Sequence, residues 1–152
     1  MMISRFSVAV LLLPPLLGSA WAETRDQRYY IAGPVEADLV SVIDGDTVMV
    51  NARPWPQQTM EVYVRLRGID APELKSSCAA TRDAGKQARE ALANLTRDQS
   101  EIQLSHISGD KYFGRVVAKI GFDHGHDAGE TMLAAGLARP YDGGRKARDV
   151  CN

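Results

Sequence analysis

Val42-Ile43-Asp44-Gly45-Asp46-Thr47-Val48 opens a stretch that closes on Arg65-Leu66-Arg67-Gly68-Ile69-Asp70-Ala71-Pro72-Glu73. Asp-Gly-Asp between apolar, β-branched flanks reads as a tight turn joining two strands. Between 59 and 69 the chain alternates, with Met60, Val62, Val64 and Leu66 pointing one way and Glu61, Tyr63, Arg65 and Arg67 the other. That is the two-residue period of a strand. Gly68 breaks the run, and Pro72 keeps a helix from starting at Ala71. Acids and arginines therefore gather at the ends of β-like runs, not along a polar helix face.

Carboxylates on neighbouring loop tips repel one another unless a cation lies between them. Asp and Glu oxygens with no His or Cys beside them suit a hard cation such as calcium better than zinc. Two aspartates, Asp46 and Asp70, leave most of calcium's roughly six to eight positions to water and a phosphate oxygen. An arginine alongside grips the same phosphate through paired N–H donors. Metal, phosphate clamp and a carboxylate base for water are the equipment of phosphodiester hydrolysis.

The N-terminus stands apart from the fold. A short basic start at 1–5, an apolar run at 6–18 and Ala20-Trp21-Ala22 form a secretory signal, with cleavage expected after Ala22. The apolar run is too short to span a bilayer, so no stable membrane association is expected after cleavage, and the periplasm or the exterior is the expected destination. Removing residues 1–22 of 152 leaves 130, the size of one domain with its own core. Arg5 is the only charge lost, so the net charge moves from −1 to −2. A mildly acidic chain is ill suited to coating nucleic acid nonspecifically, but can still bind phosphate locally. An exported chain with one cysteine pair, Cys78 and Cys151, suggests a disulfide, worth roughly 4 kcal/mol for so long a loop.

Residues 23–34 are polar and aperiodic, an expected flexible lead-in to a single domain over 35–152. Strands are expected at 35–43, 46–51, 59–69, 101–105 and 113–122. Residues 52–58 read as a loop, because prolines flank Trp55; Trp55 is expected against the barrel exterior, with base stacking as its alternative. A helix is expected over 78–95, with Ala84, Ala88, Ala91, Leu92 and Leu95 on one face. Residues 108–110 read as a turn. Asp127 should cap a second helix with Glu130 at the capping-box position, and Gly136 should end it. Strands and helices in that order fit a closed five-stranded OB-type barrel with two to three α-helices.

At Asp44-Gly45-Asp46-Thr47, Arg65, Asp70-Ala71-Pro72-Glu73 and Lys111-Tyr112-Phe113-Gly114-Arg115 the chain resembles the staphylococcal-nuclease-like (thermonuclease) family. That family carries an Asp-Gly-Asp-Thr turn, a strand arginine, an Asp-Thr-Pro-Glu segment and a Lys-Tyr-Gly-Arg segment in this order. The resemblance covers about 35–141 and implies the OB-fold barrel. It also implies Ca2+ held by Asp46, Asp70 and the carbonyl of Ala71, and Glu73 as the base that activates water. Arg65 and Arg115 should clamp the scissile phosphate, and Lys111, Tyr112 and Tyr141 should line the nucleotide pocket. Asp44 should support the turn or bind metal-bound water, and Thr47 should stand behind the metal ligands. Two departures stand out: Ala71 replaces the usual threonine, which keeps the carbonyl but loses a hydroxyl, and Phe113 is inserted before Gly114, which a bulge would have to absorb.

The resemblance implies cleavage of DNA and RNA with little base specificity, leaving 3′-phosphate ends, by a chain expected to be monomeric. The competing class is a weak or inactive OB-fold protein that holds single strands without cutting them. Binding alone has no use for Glu73. A structural calcium binder is the third reading, and it has no use for Arg65.

Overall fold

A computed structural model describes residues 29–99, 101–122, 125–146 and 151. The expected signal segment lies outside them. In chain order the elements are β1 (Tyr30–Ile31), β2 (Val35–Asp44), β3 (Thr47–Trp55), β4 (Gln58–Leu66), β5 (Ile69–Asp70), α1 (Ala79–Thr96), β6 (Ile102–Gly109), β7 (Arg115–Gly121), α2 (Ala128–Ala134) and β8 (Arg139–Pro140). The main sheet runs β1-β6-β2-β3-β4-β7, and a further β6–β7 pairing closes it. The result is a closed five-stranded mixed barrel, antiparallel throughout except where β4 and β7 run parallel. Closure leaves its long strands without unpaired edges. β5 and β8 form a separate two-stranded ladder beside the barrel.

The inward residues come from the alternating runs: Ala37, Val48, Val50, Val64, Leu66, Ile102, Leu104, Ala118 and Ile120 are all buried. Ala88 and Leu92 of α1 and Met132 of α2 complete the core. Burying each large aliphatic side chain contributes roughly 1.5–3 kcal/mol. Two helix termini follow the sequence closely. Asp127 caps α2, its carboxylate accepting from the Glu130 amide at 2.9 Å. At the other end Gly136 takes φ 67°, Leu137 N–H donates to the Met132 carbonyl and Gly136 N–H to that of Leu133, a Schellman closure. The Glu130 side chain reaches Lys119, not back to the cap.

Several boundaries depart from expectation. Residues 52–58 are not a loop: β3 continues to Trp55 and β4 starts at Gln58, with Trp55 paired to Gln58. Pro54 falls in a register shift between Ala52 and Trp55, where no ladder N–H is needed, and Gln57 has φ 63° after Pro56, as a type II turn requires. Trp55 ends β3 and stays exposed. The lead-in is partly ordered, since Tyr30 and Ile31 pair with Ser108 and Ile107. β6 runs on to Gly109, so the turn lies at 111–114 and β7 begins at Arg115 instead of Phe113. The extra Phe113 is absorbed by that turn, fully exposed, and not by a strand bulge.

The expected disulfide is not formed, because Cys78 and Cys151 are not at disulfide distance. Cys78 is instead the N-cap residue of α1. A hydrogen bond with Cys151, then one from the Thr81 backbone, draws its thiol pKa below the ordinary value.

Candidate functional site

The Asp44–Thr47 pair closes the β2–β3 hairpin around Gly45 and Asp46. Asp44 makes the turn an Asx turn, its Oδ1 accepting from the Asp46 amide at 3.1 Å. Gly45 does not need a positive φ. A Cβ there would sit 2.6 Å from the Ala88 Cβ and 2.7 Å from the Ala71 Cβ, so glycine lets the turn seat against both α1 and the loop after β5. Gly85 does the same one helical turn earlier: a Cβ would lie 2.7 Å from the Pro72 carbonyl oxygen. A helix glycine costs roughly 1 kcal/mol against alanine. Here it brings the loop carrying Glu73 directly onto the α1 backbone.

Asp46 is buried, with three donors on its carboxylate. Arg65 Nη1 and the Thr47 hydroxyl donate to Oδ1 at 2.8 and 2.9 Å, and the Ala71 amide donates to Oδ2 at 3.1 Å. Burial pushes its pKa up to about 6 against the lowering pull of Arg65. Asp70, with a side chain only 1% exposed, takes four donors: Arg65 Nη2 at 3.0 Å and Lys146 Nζ at 2.8 Å on Oδ1, and Arg139 Nε and Nη2 at 3.1 and 2.7 Å on Oδ2. Burial alone would raise its pKa; Lys146 and Arg139 outweigh it and hold the carboxyl below the usual range. A buried charge without such partners would cost several kcal/mol.

Arg65 is the hinge of this arrangement. Its guanidinium joins the two aspartates and donates to the Ile69 carbonyl at 3.5 Å. Of its five N–H groups, three are thereby used and two remain. Tyr141 lies under it, 5.8 Å from ring centroid to guanidinium carbon. The backbone of Tyr141 is fixed by its amide donating to the Gly68 carbonyl, and its hydroxyl donates to the Gly144 carbonyl.

Arg115, at the start of β7, donates Nε to Asp110 Oδ2 at 2.7 Å and stacks on Tyr112 at 4.6 Å. Its four terminal N–H donors have no such commitment among the described residues. Burial raises the Asp110 pKa but the Arg115 contact lowers it further, so the anchoring carboxylate stays charged. Lys111 Nζ lies over the same Tyr112 ring, 5.0 Å from its centroid.

One open cleft of about 990 Å³ is lined by Asp44, Asp46, Arg65, Ala71, Glu73, Lys111, Tyr112, Arg115, Tyr141 and Lys146. Asp70 and Thr47 lie buried behind its wall. Every residue that the sequence put forward as metal ligand, clamp, base or pocket wall is therefore in or directly behind one cavity, while the cysteines are elsewhere. Sequence reasoning missed Arg139, Lys146 and Asp110. Asp110 had a signal, its spacing of five before Arg115. Arg139 and Lys146 had only a basic, glycine-rich tail. Among the described residues no group of three or more His, Cys, Asp or Glu side chains gathers at metal-binding distance. Any cation here would rest on two carboxylates, a carbonyl and water.

Comparison with curated proteins finds no match. A family model described as staphylococcal nuclease homologue matches residues 63–150, which is 88 of the 152. The matched span holds Arg65, Asp70, Glu73, Arg115 and Tyr141, while Asp46 precedes it. Members of that family are generally nucleases acting on nucleic acid. With the closed mixed barrel and the shared cleft, the match shows that this chain belongs to the staphylococcal nuclease homologue family.

Proposed function

We propose that the protein is an exported, calcium-dependent nuclease that hydrolyses phosphodiester bonds of DNA, RNA or both with little sequence specificity. The observation that carries this reading is one guanidinium, Arg65, spanning two buried carboxylates at 2.8 and 3.0 Å in a cleft that also holds Glu73 and Arg115. The donor set fits a hard divalent cation: the carboxylates of Asp46 and Asp70 and the carbonyl of Ala71 are oxygens, with no thiolate or imidazole among them. When bound, that ion supplies positive charge against the developing charge of the phosphate. Thr47 and the Ala71 amide fix the rotamer of Asp46 for this purpose.

Glu73 takes a proton from the attacking water. The water oxygen bonds to phosphorus as the bond to the 5′ oxygen breaks, and the departing oxygen takes a proton from solvent, leaving a 3′-phosphate end. Arg65 and Arg115 donate to the non-bridging oxygens throughout, Arg115 from a side chain locked at Nε so that its outer edge is presented. Tyr112, Tyr141 and Lys111 hold the flanking nucleotide by stacking and charge. The protein acts as a monomer in the periplasm or outside the cell.

Glu73→Gln tests the assignment. Turnover of single-stranded DNA with calcium should fall by roughly 100-fold or more, while binding of a non-cleavable strand stays within a few-fold. An unchanged rate removes Glu73 as the base.

A further inference from the structure

Asp70 is saturated. A carboxylate offers about four lone-pair sites, and Arg65, Lys146 and Arg139 place four donor contacts on its two oxygens. A divalent cation cannot add to Asp70 unless one donor leaves. The three side chains differ in how firmly they are held. Arg65 lies near the end of β4, where its backbone pairs with Thr47 and Val117, and is pinned from the other side by Asp46. Arg139 approaches with two nitrogens from β8, whose backbone is paired residue to residue with Asp70. Lys146 offers a single ammonium from beyond the last strand, on a segment turned back over the site by Tyr141, whose hydroxyl donates to the Gly144 carbonyl.

The same ammonium also touches Glu73 Oε1. A compact point charge between two carboxylates does locally what a metal ion does. We infer that Lys146 is a resident cation of this cleft, bridging Asp70 and Glu73 in the metal-free protein and competing with the divalent cation for both. Metal entry then removes the ammonium from Asp70 and, in the same event, releases Glu73 to act on water. Release of the base is thereby coupled to occupation of the metal site. The inference rests on the calcium-dependent reading.

Calorimetric titration of calcium into the mature protein at low salt tests it, comparing the unaltered chain, Lys146→Met and Lys86→Met. Lys86 lies on the exposed side of α1, paired with Asp83, and reports the effect of removing one positive charge anywhere. Lys146→Met should bind calcium roughly 3- to 10-fold more tightly than the unaltered chain, with Lys86→Met within about twofold by charge screening. Separately, acetylation of Lys146 by a soluble active ester, followed by mass spectrometry, should be slow without calcium and faster with it. Equal affinity for the two variants, weaker binding by Lys146→Met, or unchanged acetylation overturns the competition while leaving calcium binding intact. No calcium binding by any of the three overturns the calcium reading, and the competition with it.

Discussion

A guanidinium that binds two carboxylates still carries N–H groups for a third anion, and Arg65 is placed to use them. Arg65→Ala should lower turnover by roughly 100-fold or more. It should also destabilise the fold by about 3–5 kcal/mol, since Asp46 and Asp70 lose a shared buried partner; urea unfolding measures the second effect independently of the first. Asp46 gives a pH signature. Its pKa of about 6 comes from burial, and a cation needs the ionised form, so calcium affinity should fall as pH drops from 7 to 5. Calorimetry across that range checks it, and a flat profile would mean Asp46 is not a ligand. That Asp46, Glu73 and Arg115 gather in one cleft was anticipated from the sequence, Asp46 and Glu73 from acids at strand ends and Arg115 from the family resemblance of its segment. Arg139 and Lys146 were not, because their partnership with Asp70 exists only once β8 pairs with β5.

Elements meet at this site through glycines, and the consequence is testable. Gly85→Ala places a methyl 2.7 Å from the Pro72 carbonyl, so either α1 or the Glu73 loop must shift. Overpacking of this kind costs roughly 1–3 kcal/mol, and activity should fall by more than the unfolded fraction accounts for, because Glu73 moves with the loop. The helix was readable from spacing, and of its expected face Ala88 and Leu92 are buried with Ala91 and Leu95 partly so, whereas the buried Gly85 and Thr96 were not anticipated. The β3–β4 hairpin was not: prolines usually end strands, and only a register shift at Pro54 and a turn at Pro56 let the pairing continue. The turn at 111–114 makes the opposite point, since Phe113 is absorbed there without displacing Arg115 from the cleft. Deleting Phe113 should therefore leave activity within a few-fold; a loss near 100-fold would mean the turn, not β7, aims Arg115.

For the whole molecule, the buried charges set how stability follows pH. Asp46 is raised to about 6 from 3.8, so the folded state binds its proton more tightly than the unfolded chain, and metal-free stability rises as pH falls from 7 towards 5. The gain is at most roughly 3 kcal/mol. Asp70 and Asp110 are lowered, so their contributions are present above 3.8 and are lost as pH falls below it. Metal-free thermal melts should therefore show a maximum between about pH 4 and 6, and saturating calcium should move that maximum upward in pH by stabilising ionised Asp46. The closed barrel was expected from the order of strands and helices and, more firmly, from the family resemblance of the motifs they carry. The parallel β4–β7 pairing within that closed barrel was not, because it joins segments separated by the whole of α1.

Digestion of single-stranded DNA and RNA by the mature chain, with calcium or with chelator, followed by end-group analysis of the products, tests the nuclease reading most directly. The expected result is calcium-dependent cleavage to 3′-phosphate ends that chelator abolishes and Glu73→Gln suppresses. Tight retention of intact strands, with no cleavage at any calcium concentration, would contradict it.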